Sequence, residues 1–253
     1  MLDFSINNSW LVAIALNSIL MLVSIVIPKK LLTPAGTINA WGLGVVVWGT
    51  LGWRGYGVVL FYFLVGSAVT RIGMAQKEAE GIAEKRGGAR GPENVWGSAF
   101  TATICAIGVA AIKFGWLDPG WESLLILGYV ASFATKLSDT TASEVGKAYG
   151  KSTFLITTLK PVPRGTEGAI SLEGTLAGIV GGILISLVAY SLGMITFQGV
   201  IICTVAAFVA TNVESVIGAT LQSDIDWLSN ELVNVINTIV GAVVAISIAL
   251  VWH

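Results

Sequence analysis

The chain has 253 residues, 55% of them hydrophobic and only 11% charged, with a mean hydropathy of +0.82. A soluble domain carries about 25% charged residues, so the composition excludes an ordinary soluble enzyme and predicts an all-α polytopic bundle of transmembrane helices, residues 1–253 forming one integral membrane domain. A net charge of −1 and a pI near 5.8 exclude a general nucleic-acid binder.

Taken along the chain, apolar runs near 9–27, 39–52, 56–70, 97–115, 121–137, 174–192, 196–217 and 234–252 predict seven or eight spans. The first run lacks a basic region ahead of it, where Asp3 is the only charge, and no small-x-small pattern follows Lys29-Lys30. It is therefore expected to be a retained helix and not a signal peptide. The second and third runs are short and separated only by Gly52-Trp53-Arg54-Gly55, so one of them is tilted, broken or interfacial. Residues 71–86 are expected to continue helically from the third span, with Glu80 and Glu84 one turn apart, until Gly87-Gly88-Ala89-Arg90-Gly91-Pro92 ends that helix.

Alternating the loops across eight spans puts Lys29, Lys30, Arg71, Lys77, Lys85, Arg86, Arg90, Lys136, Lys147, Lys151, Lys160 and Arg164 on one side. Only Arg54 and Lys113 are left for the other, twelve against two of the 14 basic residues. Basic residues collect on the cytoplasmic side, so the loops around 71–96, 138–173 and 219–233 are expected there, with both termini opposite. Cys105 and Cys203 fall inside apolar runs without partners at ligand spacing and read as small apolar fillers. The lone histidine, His253, is the last residue, which argues against histidine catalysis.

Four constellations carry chemistry. Lys136 and Asp139 lie at or just inside the membrane boundary, where an ionisable group must be paired or line a watery cavity. On a helix Asp139 and Ser143 share a face, with Thr140 and Glu144 beside them; carboxylates and hydroxyls so placed suit an oxygen-liking cation such as Mg²⁺. A simple Lys136–Asp139 ion pair with capping hydroxyls is the alternative. In the stretch Lys160 to Thr175, glycines permit close backbone approach to an anion. Arg164 can grip phosphate oxygens, and a helix starting near Gly174 turns its positive end toward them. A structured loop in which Ser171 and Glu173 cap the helix is the other reading. This stretch matches neither the Walker A pattern nor GxGxxG. Glu214 follows a long uncharged run and sits at membrane depth, needing a metal, a substrate or a basic partner. Asn230, Asn234 and Asn237 form a polar stripe continued by Gly241, either interhelical hydrogen bonding or contacts to a ligand. Gly174, Gly178 and Gly182 have the small-xxx-small spacing of helix packing.

Asp139-Thr140-Thr141-Ala142-Ser143-Glu144-Val145-Gly146, then Pro163 to Thr175, then Glu214 to Gln222 together resemble the signature of the membrane family containing the phytyl-phosphate kinase of plant and cyanobacterial tocopherol synthesis. Arg90-Gly91-Pro92-Glu93-Asn94-Val95 resembles that family's earlier loop. The resemblance runs from Thr33 to the C-terminus and is more distantly similar to polyprenol kinases and CTP-dependent phosphatidate cytidylyltransferases. It implies an isoprenyl monophosphate acceptor, a CTP-type nucleotide donor, Mg²⁺ and a diphosphate product, in a bacterial or cyanobacterial plasma membrane or a plastid envelope, with the site facing the cytoplasm. Under it Asp139, Glu144 and Glu214 would hold the metal. Arg164, Lys136 and the Gly165-Thr166 backbone would hold the donor phosphates, and Arg71 and Arg90 the acceptor phosphate. Asn94, Thr140, Ser171, Asn212 and Asn234 complete the expected binding set. The acceptor phosphate is already ionised and nucleophilic, so no strong base is needed, and its lipid tail would lie in a groove between spans. The expected partners are the lipid substrate, the nucleotide, bilayer lipids and a possible second copy. A polyprenol kinase, a lipid-phosphate cytidylyltransferase and an ion-coupled transporter using Lys136, Asp139 and Glu214 stand as alternatives.

Overall fold

A computed structural model describes residues 4–27, 30–222, 225 and 227–252. The expectations resting on Asp3, Lys29 and His253 lie outside the described residues. The helices are α1 (Phe4–Val26), α2 (Pro34–Thr70), α3 (Met74–Ala79), α4 (Pro92–Lys113), α5 (Glu122–Tyr149), α6 (Leu172–Ser191), α7 (Phe197–Thr220) and α8 (Asn230–Trp252). A small antiparallel ladder, β1 (Phe154–Leu155) with β2 (Ala169–Ile170), ties the α5–α6 connection and is a minor departure from an all-α chain.

Among the described residues six helices, α1, α2, α4, α6, α7 and α8, are long and apolar enough to cross a membrane. α2 is two passes joined. Thr33 caps it, its Oγ1 accepting from the Gly36 amide at 3.0 Å, and Pro34 occupies the first turn, where a missing N–H does no harm. At Gly52 the backbone leaves the helix, with φ 67° and ψ −161°, a region essentially closed to side chains. Gly36 and Gly66 both pack on Arg90, Gly36 against its carbonyl and Gly66 against its guanidinium. A straight helix would hold those glycines about 45 Å apart, so the chain folds back at Gly52 and the two short apolar runs are antiparallel neighbours. With α5 the bundle has eight rods.

α5 is the axle. Every residue from Leu127 to Thr141 is buried, as only a helix surrounded on all sides can be. It packs against α2, α4, α6, α7 and α8. The glycine row on α6 lets the two helices approach closely: a Cβ on Gly174 would lie 2.6 Å from Ala142 O, and one on Gly178 3.0 Å from Ser138 O. Phe133 packs tilted against Tyr62 and edge-to-face against Tyr129, at centroid separations of 5.3 and 5.2 Å, and Cys105 and Cys203 are buried free thiols filling space.

Two local expectations are corrected. The connection expected around 138–173 begins only after Tyr149: α5 continues past the apolar span and carries Asp139, Ser143 and Glu144 on a helix, with Asp139 and Glu144 turned inward and buried by their neighbours. Residues 71–86 do not extend the third span. α2 stops at Thr70, Gly73 (φ 62°) and Gly81 (φ 71°) bracket the six-residue α3, and Glu84 lies off the helix. The break lets Lys77 turn into the bundle, where it is fully buried. The segment from Lys85 to Gly91 then leads into α4, with Pro92 in its first turn.

The connections between α1 and α2, α2 and α4, α5 and α6, and α7 and α8 gather at one end. There the Thr33 amide donates to Arg90 O at 3.0 Å, Ile82 packs on Gly165, and Gly168 packs on Ser215 and Ala219. At the other end Lys113 Nζ reaches Thr50 O at 2.6 Å and Leu192 packs on Gly57.

Candidate functional site

Beneath the gathered connections lies a cavity of about 480 Å³, open to the loop end and walled by α2, α4, α5, α6, α7 and α8. Its floor is built by the buried middle of α5. Lys136 Nζ donates to Asp139 Oδ2 at 2.5 Å, three residues along the same helix face, and to Asn234 Oδ1 on α8 at 2.7 Å. Glu214 on α7 lines the same cavity as Asp139, close enough to feel its charge and those of Lys136 and Glu167. Two carboxyl groups this close need positive charge beside them, and Lys136 supplies one. Ser138 Oγ accepts from Thr211 at 3.2 Å, fastening α7 to α5 beside the pair.

The roof comes from the connections. The Arg90 guanidinium donates to Tyr62 Oη at 2.7 Å, and Tyr62 in turn donates to Ser98 Oγ at 2.9 Å. The same guanidinium stands 5.0 Å over the Tyr62 ring and 5.9 Å from that of Phe63, so its position is set on two sides. Asn94 Oδ1 accepts from the Gly91 amide at 2.9 Å and from Arg86 at 2.9 Å, closing the first turn of α4. Across the mouth, Gly165 (φ 82°) and Thr166 form a turn whose hydroxyl bonds Pro163 O at 2.8 Å. Ser171 Oγ accepts from the Gly174 amide at 3.1 Å; the capping role holds, and the same side chain lines the cavity.

One cavity therefore collects Lys136, Asp139, Thr140, Glu144, Glu214, Arg90, Asn94, Gly165, Thr166, Ser171, Asn212 and Asn234, residues drawn from four helices and two connections. Two expected residues stand outside its lining. Arg164 pairs with Glu80 at 2.7 Å, and Arg71 is spent on backbone carbonyls, Ser67 O at 2.8 Å and Lys30 O at 3.4 Å, holding the α2 terminus.

The three-carboxylate set is also not assembled. Glu144, buried to 2% of its side-chain surface, is drawn into an ion pair with Lys77, with Lys147 4.0 Å from its other oxygen. Lys77 also donates to Thr70 O at 2.8 Å. Among the described residues no three acidic, histidine or cysteine side chains converge as a metal cage, and Asp139 with Glu214 is the carboxyl pair that remains. The asparagine stripe divides: Asn234 serves Lys136, Asn230 bonds Gln222, and Asn237 is wholly buried with neither amide atom partnered among the described residues.

Sequence reasoning missed Lys77, Tyr62 and Ser98. Lys77 looks like any basic residue of its segment. Tyr62 and Ser98 did leave a signal, as polar groups inside apolar runs that need partners.

Residues 17–242 match the family described as integral membrane protein DUF92. The uncharacterized membrane protein sll0875 of Synechocystis is 64% identical over 96% of this chain and 93% of its own. The chloroplastic protein VTE6 of Arabidopsis thaliana is 43% identical over 96% of this chain and 72% of its own. The uncharacterized membrane protein MJ0933 of Methanocaldococcus jannaschii is 33% identical over 87% of each. No solved structure matches.

Proposed function

The chain belongs to the integral membrane family DUF92, and from that premise we propose that it is a membrane-embedded phosphotransferase converting an isoprenyl monophosphate, phytyl monophosphate in the first instance, to the diphosphate with a CTP-type nucleotide and Mg²⁺. The observation that carries this reading is a polar chamber sunk among apolar helices, with Lys136, Asp139 and Glu214 at its floor and Arg90 at its roof. Such a chamber suits a phosphate whose carrier stays in the bilayer. The motif resemblance and the chloroplastic and cyanobacterial relatives support the same reading, and with it a plasma-membrane or plastid-envelope location with the chamber facing the cytoplasm.

The donor set fits Mg²⁺, which takes one or two carboxylates and fills its remaining positions with water and substrate phosphates; Asp139 and Glu214 supply the carboxylates, with Asn212 and Thr140 beside them in the lining. When bound, the ion would cancel phosphate charge at that point. Lys136 and Arg90 present fixed positive charge to the two phosphate groups from below and above. The glycine-bearing turn from Gly165 to Ser171 offers close backbone approach. The acceptor is already an oxyanion, so positioning and charge cancellation are all the chain must provide. Arg164 reaches the chamber only by leaving Glu80.

The test supplies purified protein with phytyl monophosphate, Mg²⁺ and γ-labelled CTP. A labelled isoprenyl diphosphate is expected. No labelled lipid from any nucleoside triphosphate overturns the kinase reading. A CMP-bearing lipid with released pyrophosphate replaces it with cytidylyl transfer, and product mass separates the two.

A further inference from the structure

The cavity has a side as well as a mouth. α6 descends from the loop end and α7 climbs back to it, and the two close on each other at Gly182, where a Cβ would lie 3.4 Å from Ala207 Cβ. Nearer the loop end both helices lean on α5 instead: a Cβ on Gly178 would lie 3.0 Å from Ala142 Cβ, and Thr211 bonds Ser138. The gap left between them is lined by Thr175 of α6 and by Phe208, Asn212 and Ser215 of α7, all on the cavity wall. Gly168 seals the top against Ser215 O and Ala219. A window results, bounded below by Gly182 and Ala207 and above by the Gly168 turn.

Phe208 belongs to both sides of this window. It lines the cavity and is 42% exposed, and its α7 neighbours Val205 and Val209 are exposed without lining the cavity. At 1.5 Å per residue it lies about 18 Å along α7 from Thr220, well within the depth of a hydrocarbon core about 30 Å thick. One turn on, half-buried Asn212 donates to Phe208 O at 2.7 Å. A polar amide at that depth is tolerated where it faces a cavity and not where lipid alone would surround it. Outside the window the wall is apolar, with Leu176 and Val180 on α6 and Val205 and Val209 on α7 all exposed.

We propose that the window between α6 and α7 is the lateral portal of the site: the isoprenyl chain lies along Leu176, Val180, Val205 and Val209 in the bilayer, crosses at Phe208, and delivers its phosphate to Lys136, Asp139 and Glu214. The identity of the headgroup rests on the phosphotransferase reading; the position of the chain rests on the window. A polar inner rim of Thr175, Asn212 and Ser215 meets the phosphate end, and the Phe208 ring meets the first prenyl units.

The experiment uses the full chain in lipid nanodiscs with a phytyl monophosphate analogue carrying a diazirine on its chain, irradiated and mapped by peptide mass spectrometry. Label is expected on Leu176–Val180 and Val205–Val209, and is expected to be lost with excess phytyl monophosphate. Phe208→Trp should cut that label and raise KM for phytyl monophosphate by about tenfold, the scale on which a pocket distinguishes small apolar changes, while KM for CTP is unchanged. Competable label on α1, α2 or α4, or no competable label, overturns the portal; the wild-type map decides this without any variant. Competable label at the window with no transfer from any nucleotide removes the kinase reading and keeps the portal. Turnover with label elsewhere does the reverse.

Discussion

At the bottom of the cavity Lys136 holds Asp139 and Asn234 at once, and Glu214 lines the same cavity near enough to feel the charge of Asp139. Asp139→Asn removes one of the two carboxylates proposed to hold Mg²⁺ and leaves Lys136 without its ion-pair partner, and a loss of about 10²–10³ in kcat is expected, the scale for one pre-organised electrostatic group. Arg164→Ala should cost less than about tenfold, because Arg164 is engaged with Glu80 outside the lining. Equal losses in the two variants, read as kcat/KM with labelled CTP, would refute this division. Lys77 makes a separate prediction. Its removal in Lys77→Met strands the buried Glu144 carboxylate, and a loss of about 3–5 kcal/mol is expected from an uncompensated buried charge. Lys77→Met with Glu144→Leu should recover most of that in detergent thermal unfolding. A double variant no more stable than the single one would show that the pair is not what holds α3 down.

Between elements, two glycines act for different reasons and predict different behaviour. Gly178 sits where a side chain has no room: a Cβ would meet Ser138 O and Ala142 Cβ, each at 3.0 Å. Gly178→Val should prise α6 from α5, destabilising by about 1–3 kcal/mol, as overpacking does, and shifting the floor of the site with it. Gly52 has open space around it and is required by conformation alone. Gly52→Ala should cost about 1–3 kcal/mol of backbone strain while leaving KM for both substrates unchanged, since the hairpin tip lies at the end away from the cavity. A KM shift in Gly52→Ala would contradict that separation. The turn at Gly52 was readable from the Gly52-Trp53-Arg54-Gly55 punctuation between two apolar runs. The break at Gly73 was not, because the residues after it keep a helical pattern and the buried Lys77–Glu144 pair that the break allows joins groups 67 residues apart.

Over the whole molecule, the four connections that meet at one end carry the site, and the charge bias predicts that this end faces the cytoplasm. Lys160→Cys and Trp116→Cys, both exposed and at opposite ends, should react with a membrane-impermeant maleimide from opposite sides of sealed vesicles; Cys105 and Cys203 are buried and should stay unlabelled. Labelling of both from one side would overturn the topology. The membrane class, the rough count of spans, the alternation of loops and the three motif-bearing segments were all legible in the linear chain, because hydropathy, basic-residue bias and glycine–proline punctuation are local properties. Even the helical register that puts Lys136 and Asp139 on one face follows from spacing alone. Which groups then meet across the bundle was settled only in three dimensions. Glu144 and Asp139 are neighbours in sequence, yet Lys77 draws one away while Glu214, from another helix, comes to the other. Arg164 and Gly165 are adjacent, yet one turns to Glu80 and the other to the cavity. A buried charge is satisfied by whichever opposite charge the packing brings within a few ångströms, and that choice belongs to the arrangement of helices and not to any stretch of the chain.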